Sequence, residues 1–235
     1  MDYSSYKCRR MLEYFEEISK IPRASYKEDK IADYLCNFAK ERGIYCVRDA
    51  FHNVFMRIQG TQGREDEPPV LLQGHTDMVC EAEFGIEWNT RSEGVKTYVE
   101  GDFIKADGTT LGGDDGAAVG AMLAILDGAL ASHPPIECLF TTCEEVGLDG
   151  MKNFDMSNIS ARRMINLDSE TEGEAVISCA GGVRTDIFLR TDFCSFDRTA
   201  LKITVKGLCG GHSGADIHLG RANANKVLAT VLKVL

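Results

Sequence analysis

Apolar residues recur every three or four positions over residues 10–18 and again over 31–39, which predicts two amphipathic helices, the first stopping at Pro22. The period then changes. Residues 45–47 and 53–58 read as antiparallel strands, 62–69 as a polar turn, and Val70-Leu71-Leu72-Gln73 as a buried strand. A mostly polar excursion over 81–105 is expected to form a hairpin. Residues 117–130, rich in Ala, Met and Leu, give the strongest helix of the chain, beginning directly after an Asp pair. Residues 136–142 make the next strand and 164–167 another. Alternation of this kind predicts an α/β fold in which a central mixed sheet carries helices on both faces, a three-layer αβα unit.

A second unit is expected after Gly181-Gly182, a flexible junction, which divides the chain into domains 1–182 and 183–235. It should open with strands at 185–189 and 201–205 and close with a helix over 223–235. The apolar face of that helix, Val227, Leu228, Val231, Leu232 and Leu235, is still running at the last residue with no capping Gly or Asn, so an interrupted sequence is expected.

Composition narrows the partners. At 235 residues and 44% apolar, the chain can fill one sizeable core and part of another without cross-links. A formal charge of −10 argues against nucleic acid or an anionic membrane as the main partner and leaves small molecules or peptides. No apolar stretch is long enough to span a bilayer. Nine scattered Cys without a CxxC pair, and no signal peptide, point to reduced thiols and a cytoplasmic location.

The candidate chemistry lies where apolar runs end. Gly74-His75-Thr76-Asp77 follows one run, Cys143-Glu144-Glu145 another and Asp168-Ser169-Glu170 a third, with Gly112-Gly113-Asp114-Asp115-Gly116 between the first two. Four strand ends bringing one imidazole and several carboxylates to one rim would make a site for a hard or borderline divalent metal, as in a metallohydrolase. Each element alone has a plainer reading. His75 and Asp77, two apart on an extended segment, could be a polar pair at a strand end. Asp114 could be a helix N-cap. Glu144 and Glu145 could be solvated loop charges, although adjacent carboxylates repel unless a cation or shared proton intervenes.

In order, GHTDMV (74–79), GTTLGGDDG (108–116), TTCEEVG (141–147), INLDSE (165–170) and GGHSGADIH (210–218) resemble the co-catalytic zinc peptidases related to aminoacylase, peptidase T and the succinyl-diaminopimelate desuccinylases. Within that group the Xaa-His (aminoacyl-histidine) dipeptidase branch is most similar. The features favouring it are the Leu72 to Glu81 context, Gly116 where many relatives carry Lys, and the 211–218 motif. The resemblance implies two zinc ions per complete site, with Mn or Co as possible substitutes. His75 and Asp168 would hold one ion, Asp114 would bridge and Glu145 would hold the other. Glu144 would be the general base, and Asp77 would orient His75. A non-proline cis peptide is expected at Asp114-Asp115. Residues 183–235 would be the first part of an α+β lid or dimerisation domain, giving a homodimer in the full-length protein. His212 would there reach a substrate carbonyl or oxyanion, or else sit as a surface residue on a glycine turn. The last His ligand of the family has no counterpart in this sequence; His52 and His133 read as structural or exposed. The chain alone is therefore expected to hold at most one zinc tightly, to associate, and to turn over little substrate. Dipeptides with a free amino terminus are the implied substrates; a tripeptidase, an N-acyl-amino-acid hydrolase or a non-catalytic fragment are the alternatives.

Overall fold

A computed structural model describes the chain apart from residues 2, 170, 172, 180, 182, 184, 196, 212–215 and 235. It divides into two compact units, Met1–Ala175 and Val176–Leu235.

In the first unit, helices α1 (Arg9–Ser19) and α2 (Asp29–Arg42) precede strands β1 (Tyr45–Arg48), β2 (Val54–Ile58) and β3 (Val70–His75). A small hairpin, β4 (Thr97–Glu100) and β5 (Phe103–Ala106), is followed by α3 (Gly113–Leu126), β6 (Ile136–Thr141), the short α4 (Asp149–Asn153) and β7 (Arg163–Asn166). The main sheet has the order β1-β2-β6-β3-β7. Strands β3, β6 and β7 run parallel, while β2 pairs antiparallel with both β1 and β6. The mixed α/β architecture is thus the one the periodicity predicts. The excursion over 81–105 is a hairpin only in its final part, since its first half forms only an isolated bridge, Ala82 to Thr109. The helix after the Asp pair begins and ends earlier than its composition suggests; Asp114 and Asp115 keep non-helical dihedrals at its start, and the peptide between them is cis.

Side chains alternate across each strand, so neighbouring residues serve different cores. Val54 and Met56 of β2, Leu72 of β3, and Cys138 and Phe140 of β6 pack with Ile18 of α1, Leu35 of α2 and Met122 of α3. Phe55, Leu71 and Leu139 face the other way, onto Phe154 and Ala161. On the helical face Asp127, just past α3, binds Arg10 of α1 and Arg42 of α2, the latter at 2.6 Å, so one carboxylate ties three helices together. Its two Arg partners hold it down at about 2 against burial, which pushes the other way.

The second unit contains a 3₁₀ turn, Ile217–Leu219, and helix α5, Ala224–Val234. The strands expected at 185–189 and 201–205 do not form: their described residues have no regular structure, and Phe188 is 92% exposed. An apolar run becomes a strand only where a partner takes up its N–H and C=O groups, and no described residue of this unit offers one.

Candidate active site

Three parallel strands deliver their carboxyl ends to one edge of the sheet, where open α/β folds hold ligands. His75 is the last residue of β3, Glu144 and Glu145 lie just beyond β6, and Asp168 lies just beyond β7. The fourth contribution, Asp114, comes from the start of α3 and not from a strand end, a correction to the sequence reading. Ligand atoms of His75, Asp114 and Asp168 fall within 4.8 Å of one another, and so do those of His75, Glu144 and Glu145. All five candidate ligand and base residues therefore gather around one imidazole. His212 lies outside the described residues. His52 bonds Arg48, and His133 bonds the Pro134 carbonyl, so neither joins the cluster.

The two nitrogens of the imidazole face different partners. Nδ1 lies 3.0 Å from the backbone carbonyl of Asp77, which can only accept, so Nδ1 carries the hydrogen. Nε2 then points at Asp114 Oδ1, 2.9 Å away. Two lone pairs cannot face each other at that distance unless a proton or a metal ion lies between them. Burial alone would lower the His75 pKa, but the Asp77 hydrogen bond and charge and the Asp114 carboxylate outweigh it and raise it to about 10. One imidazole among oxygen donors suits a hard or borderline divalent ion.

A model of peptidase family M28 matches residues 53–200, more than half the chain. The chain belongs to that family. This peptidase-family chain is 39% identical over 220 residues to the cytosol non-specific dipeptidase of Escherichia coli, covering 93% of this chain and 45% of that protein. It matches the structure of the aminoacylhistidine dipeptidase of Vibrio alginolyticus with a TM-score of 0.74 at 32% identity, over 99% of this chain and 48% of the other. A tripeptidase from Staphylococcus aureus aligns with a TM-score of 0.58 at 25% identity over 70% of this chain and 44% of the other. These likenesses bear out the resemblance to Xaa-His dipeptidases. The chain spans about half the length of the curated relatives it matches.

Around the cluster of this M28-family chain lie Asp77, which the motifs singled out, and Asp115, Glu28 and Arg23, to which they gave no role. Asp77 touches the imidazole more through its carbonyl than its carboxylate, whose Oδ1 is 3.5 Å from Nδ1. The carboxylate accepts the backbone N–H groups of Glu144 at 3.0 Å and Glu145 at 3.2 Å and the Ser25 hydroxyl at 2.8 Å. Asp115 is buried and accepts the His75 N–H at 3.2 Å, and burial pushes its carboxyl up to about 7. Glu28 is buried behind the 143–145 turn, where it accepts the Cys143 N–H at 2.9 Å. Arg23, 1% exposed, lies beneath the cluster. Burial and the neighbouring carboxylates of Asp168, Asp77 and Asp114 raise Glu144 despite the opposing charge of His75; Glu145 is raised too, first by burial. Asp115 lay inside the 108–116 motif without an assigned role, but Arg23 and Glu28 carried no sequence signal beyond lying near a Pro and a helix start.

Proposed function

We propose that the complete protein is a dinuclear metal-dependent dipeptidase, zinc being the preferred ion, which cleaves the peptide bond of dipeptides with a free amino terminus, Xaa-His included. The observation that carries this reading is the meeting of two ligand groups on His75, one with Asp114 and Asp168, the other with Glu144 and Glu145. His75 and Asp168 would hold one ion, Glu145 the other and Asp114 both. When bound, such ions acidify a shared water and polarise the scissile carbonyl.

The chain's own groups do the rest. Glu144 takes the proton of the attacking water at its carboxylate and returns it to the leaving amine; its raised pKa suits a group that must both accept and release a proton near neutrality. Asp77 fixes the main chain of Glu144 and Glu145, so that the base and the neighbouring ligand keep their spacing. Asp115 holds the backbone of His75 from the helix side. His212 would donate to the substrate carbonyl from the second unit, through which the full-length protein would dimerise. The nine thiols, all free, suit work in a reducing cytosol.

Glu144→Gln and Glu145→Gln in the full-length enzyme separate base from ligand. The first should cut turnover of a β-alanyl-histidine substrate by about 10²- to 10⁴-fold while metal stoichiometry stays at the parent value. The second should lower metal occupancy. A Glu144→Gln enzyme that keeps most of its turnover overturns the assignment. Faster hydrolysis of tripeptides or N-acyl amino acids in a substrate panel would replace the dipeptidase reading.

A further inference from the structure

The glycines around the Asp pair have a partner in Arg23, which precedes α2 and is separated from them by six elements. Its guanidinium is buried, yet it makes no ion pair at salt-bridge distance among the described residues; its hydrogens go to backbone carbonyls. Nη1 donates to the carbonyl of Thr76 at 3.0 Å and, more weakly, to that of Asp77 at 3.4 Å. Nη2 donates to the carbonyl of Gly112 at 2.5 Å. Thr76 and Asp77 follow β3, whose last residue is His75, and Gly112 stands two residues before Asp114. A single rigid fork thus spans the two loops that carry the imidazole and the proposed bridging carboxylate. The Arg23 backbone joins the same loop, since its carbonyl accepts the Met78 N–H at 3.2 Å.

Two further observations show that the surroundings are shaped to this fork. A Cβ on Gly112 would fall 2.4 Å from Nη2, and one on Gly116 would fall 2.8 Å from it, so both positions must lack a side chain for Arg23 to lie where it does. Gly112 also takes a φ of 69°, in the left-handed region that favours glycine. Meanwhile Arg23 Nε is buried without a hydrogen-bond partner. Burying a permanently charged group and leaving one donor unmet is unfavourable, so a guanidinium persists here only where its other donors accomplish something a neutral side chain cannot.

We infer that Arg23 is a positioning residue for the metal site: its planar fork ties the loop after β3 to the loop before α3 and so keeps His75 and Asp114 in the register that lets both face one ion. Lysine, with a point charge and no fork, cannot span both loops in this way. The inference rests on the metal-site reading above.

The test compares Arg23→Met, Arg23→Lys and Gly116→Ala with Leu35→Ala and Ile31→Val, two core substitutions in α2 that bracket the loss of melting temperature caused by the Arg23 changes. Zinc affinity is read by chelator competition and loop stability by amide hydrogen exchange over 76–78 and 112–116. Both Arg23 variants should bind zinc about 10- to 100-fold more weakly than the parent, the range found when groups that orient metal ligands are removed. Gly116→Ala should fall between these and the parent, and the core controls should stay within about twofold. Exchange should quicken at least tenfold in both loops in Arg23→Met and in at least one of them in Arg23→Lys, but not in the core controls, and added guanidinium ion at millimolar concentration should partly restore zinc binding to Arg23→Met. Parent-like zinc affinity in folded Arg23→Met, full rescue by lysine, or equal weakening in the core controls would each overturn the inference. If the parent itself binds no zinc, the metal reading fails, and the exchange comparison alone decides whether Arg23 ties the loops.

Discussion

The two faces of the sheet are made from alternate residues of the same strands, yet they are finished differently. On one side Val54, Met56, Leu72, Cys138 and Phe140 disappear beneath α1, α2 and α3, and the Asp127 clamp locks those helices to one another. On the other, Phe55, Leu71 and Leu139 pack against Phe154, Ala161 and the short segments around the five-residue α4 and a 3₁₀ turn, and a cavity of about 390 Å³ opens between Leu71, Leu139, Met156 and Met164. Strand β7 borders this cavity with every residue exposed. A continuous apolar strand therefore reports that a sheet is buried, without reporting how well each side is covered.

Truncations that shorten one side chain on each face measure the contrast. Met122→Ala, on the helical side, should cost about 2–5 kcal/mol of stability in urea unfolding, because α1, α3 and the strands cannot collapse into the space it leaves. Leu139→Ala, its counterpart beside the cavity, should cost nearer 2 kcal/mol, since part of its surroundings is already empty. Equal losses, or the reverse order, would break the comparison.

The helical face was the legible one. Helix periodicity, the Pro22 stop and the β-rich runs located α1, α2 and β1 to β3, because a face covered by amphipathic helices writes its period into both partners. The strand ends were legible too, since a polar ligand motif directly after an apolar run marks where a buried strand emerges. What could not be read is long-range. The isolated carboxylates of the motifs said nothing of Arg23, whose role depends on three carbonyls over fifty positions away in sequence. Similarly, apolar alternation over 185–189 and 201–205 could not reveal whether a pairing strand was present. The helix start at Asp114 was legible as an N-cap position, and only the count of four strand ends missed it.

A smaller effect sharpens the comparison through pH. Asp127 has its pKa held at about 2 in the folded protein against 3.8 in its ordinary state, so its contribution to stability is fully present above about pH 4 and is lost as pH falls towards 2. Asp127→Asn should cost about 1 kcal/mol at pH 7, a figure reduced for the solvent screening of a largely surface clamp. The difference in melting temperature between it and the parent should close between about pH 4 and pH 2. A gap that persists at pH 2 would mean the clamp works through packing rather than charge. The smallest change belongs to the open face: Met164→Gln, on a residue 60% exposed, should alter stability by less than about 0.5 kcal/mol.

The grip of Asp77 on the Glu144 and Glu145 amides has a consequence for how such a site can diverge. Because it holds main chain and not side chains, the turn after β6 keeps its path whichever residues occupy positions 144 and 145. Libraries randomised at those two positions should therefore yield folded proteins with new ligand or base chemistry on an unchanged scaffold. A change at position 77 would disturb the turn and the imidazole together, making it the position where selection has the least room to move.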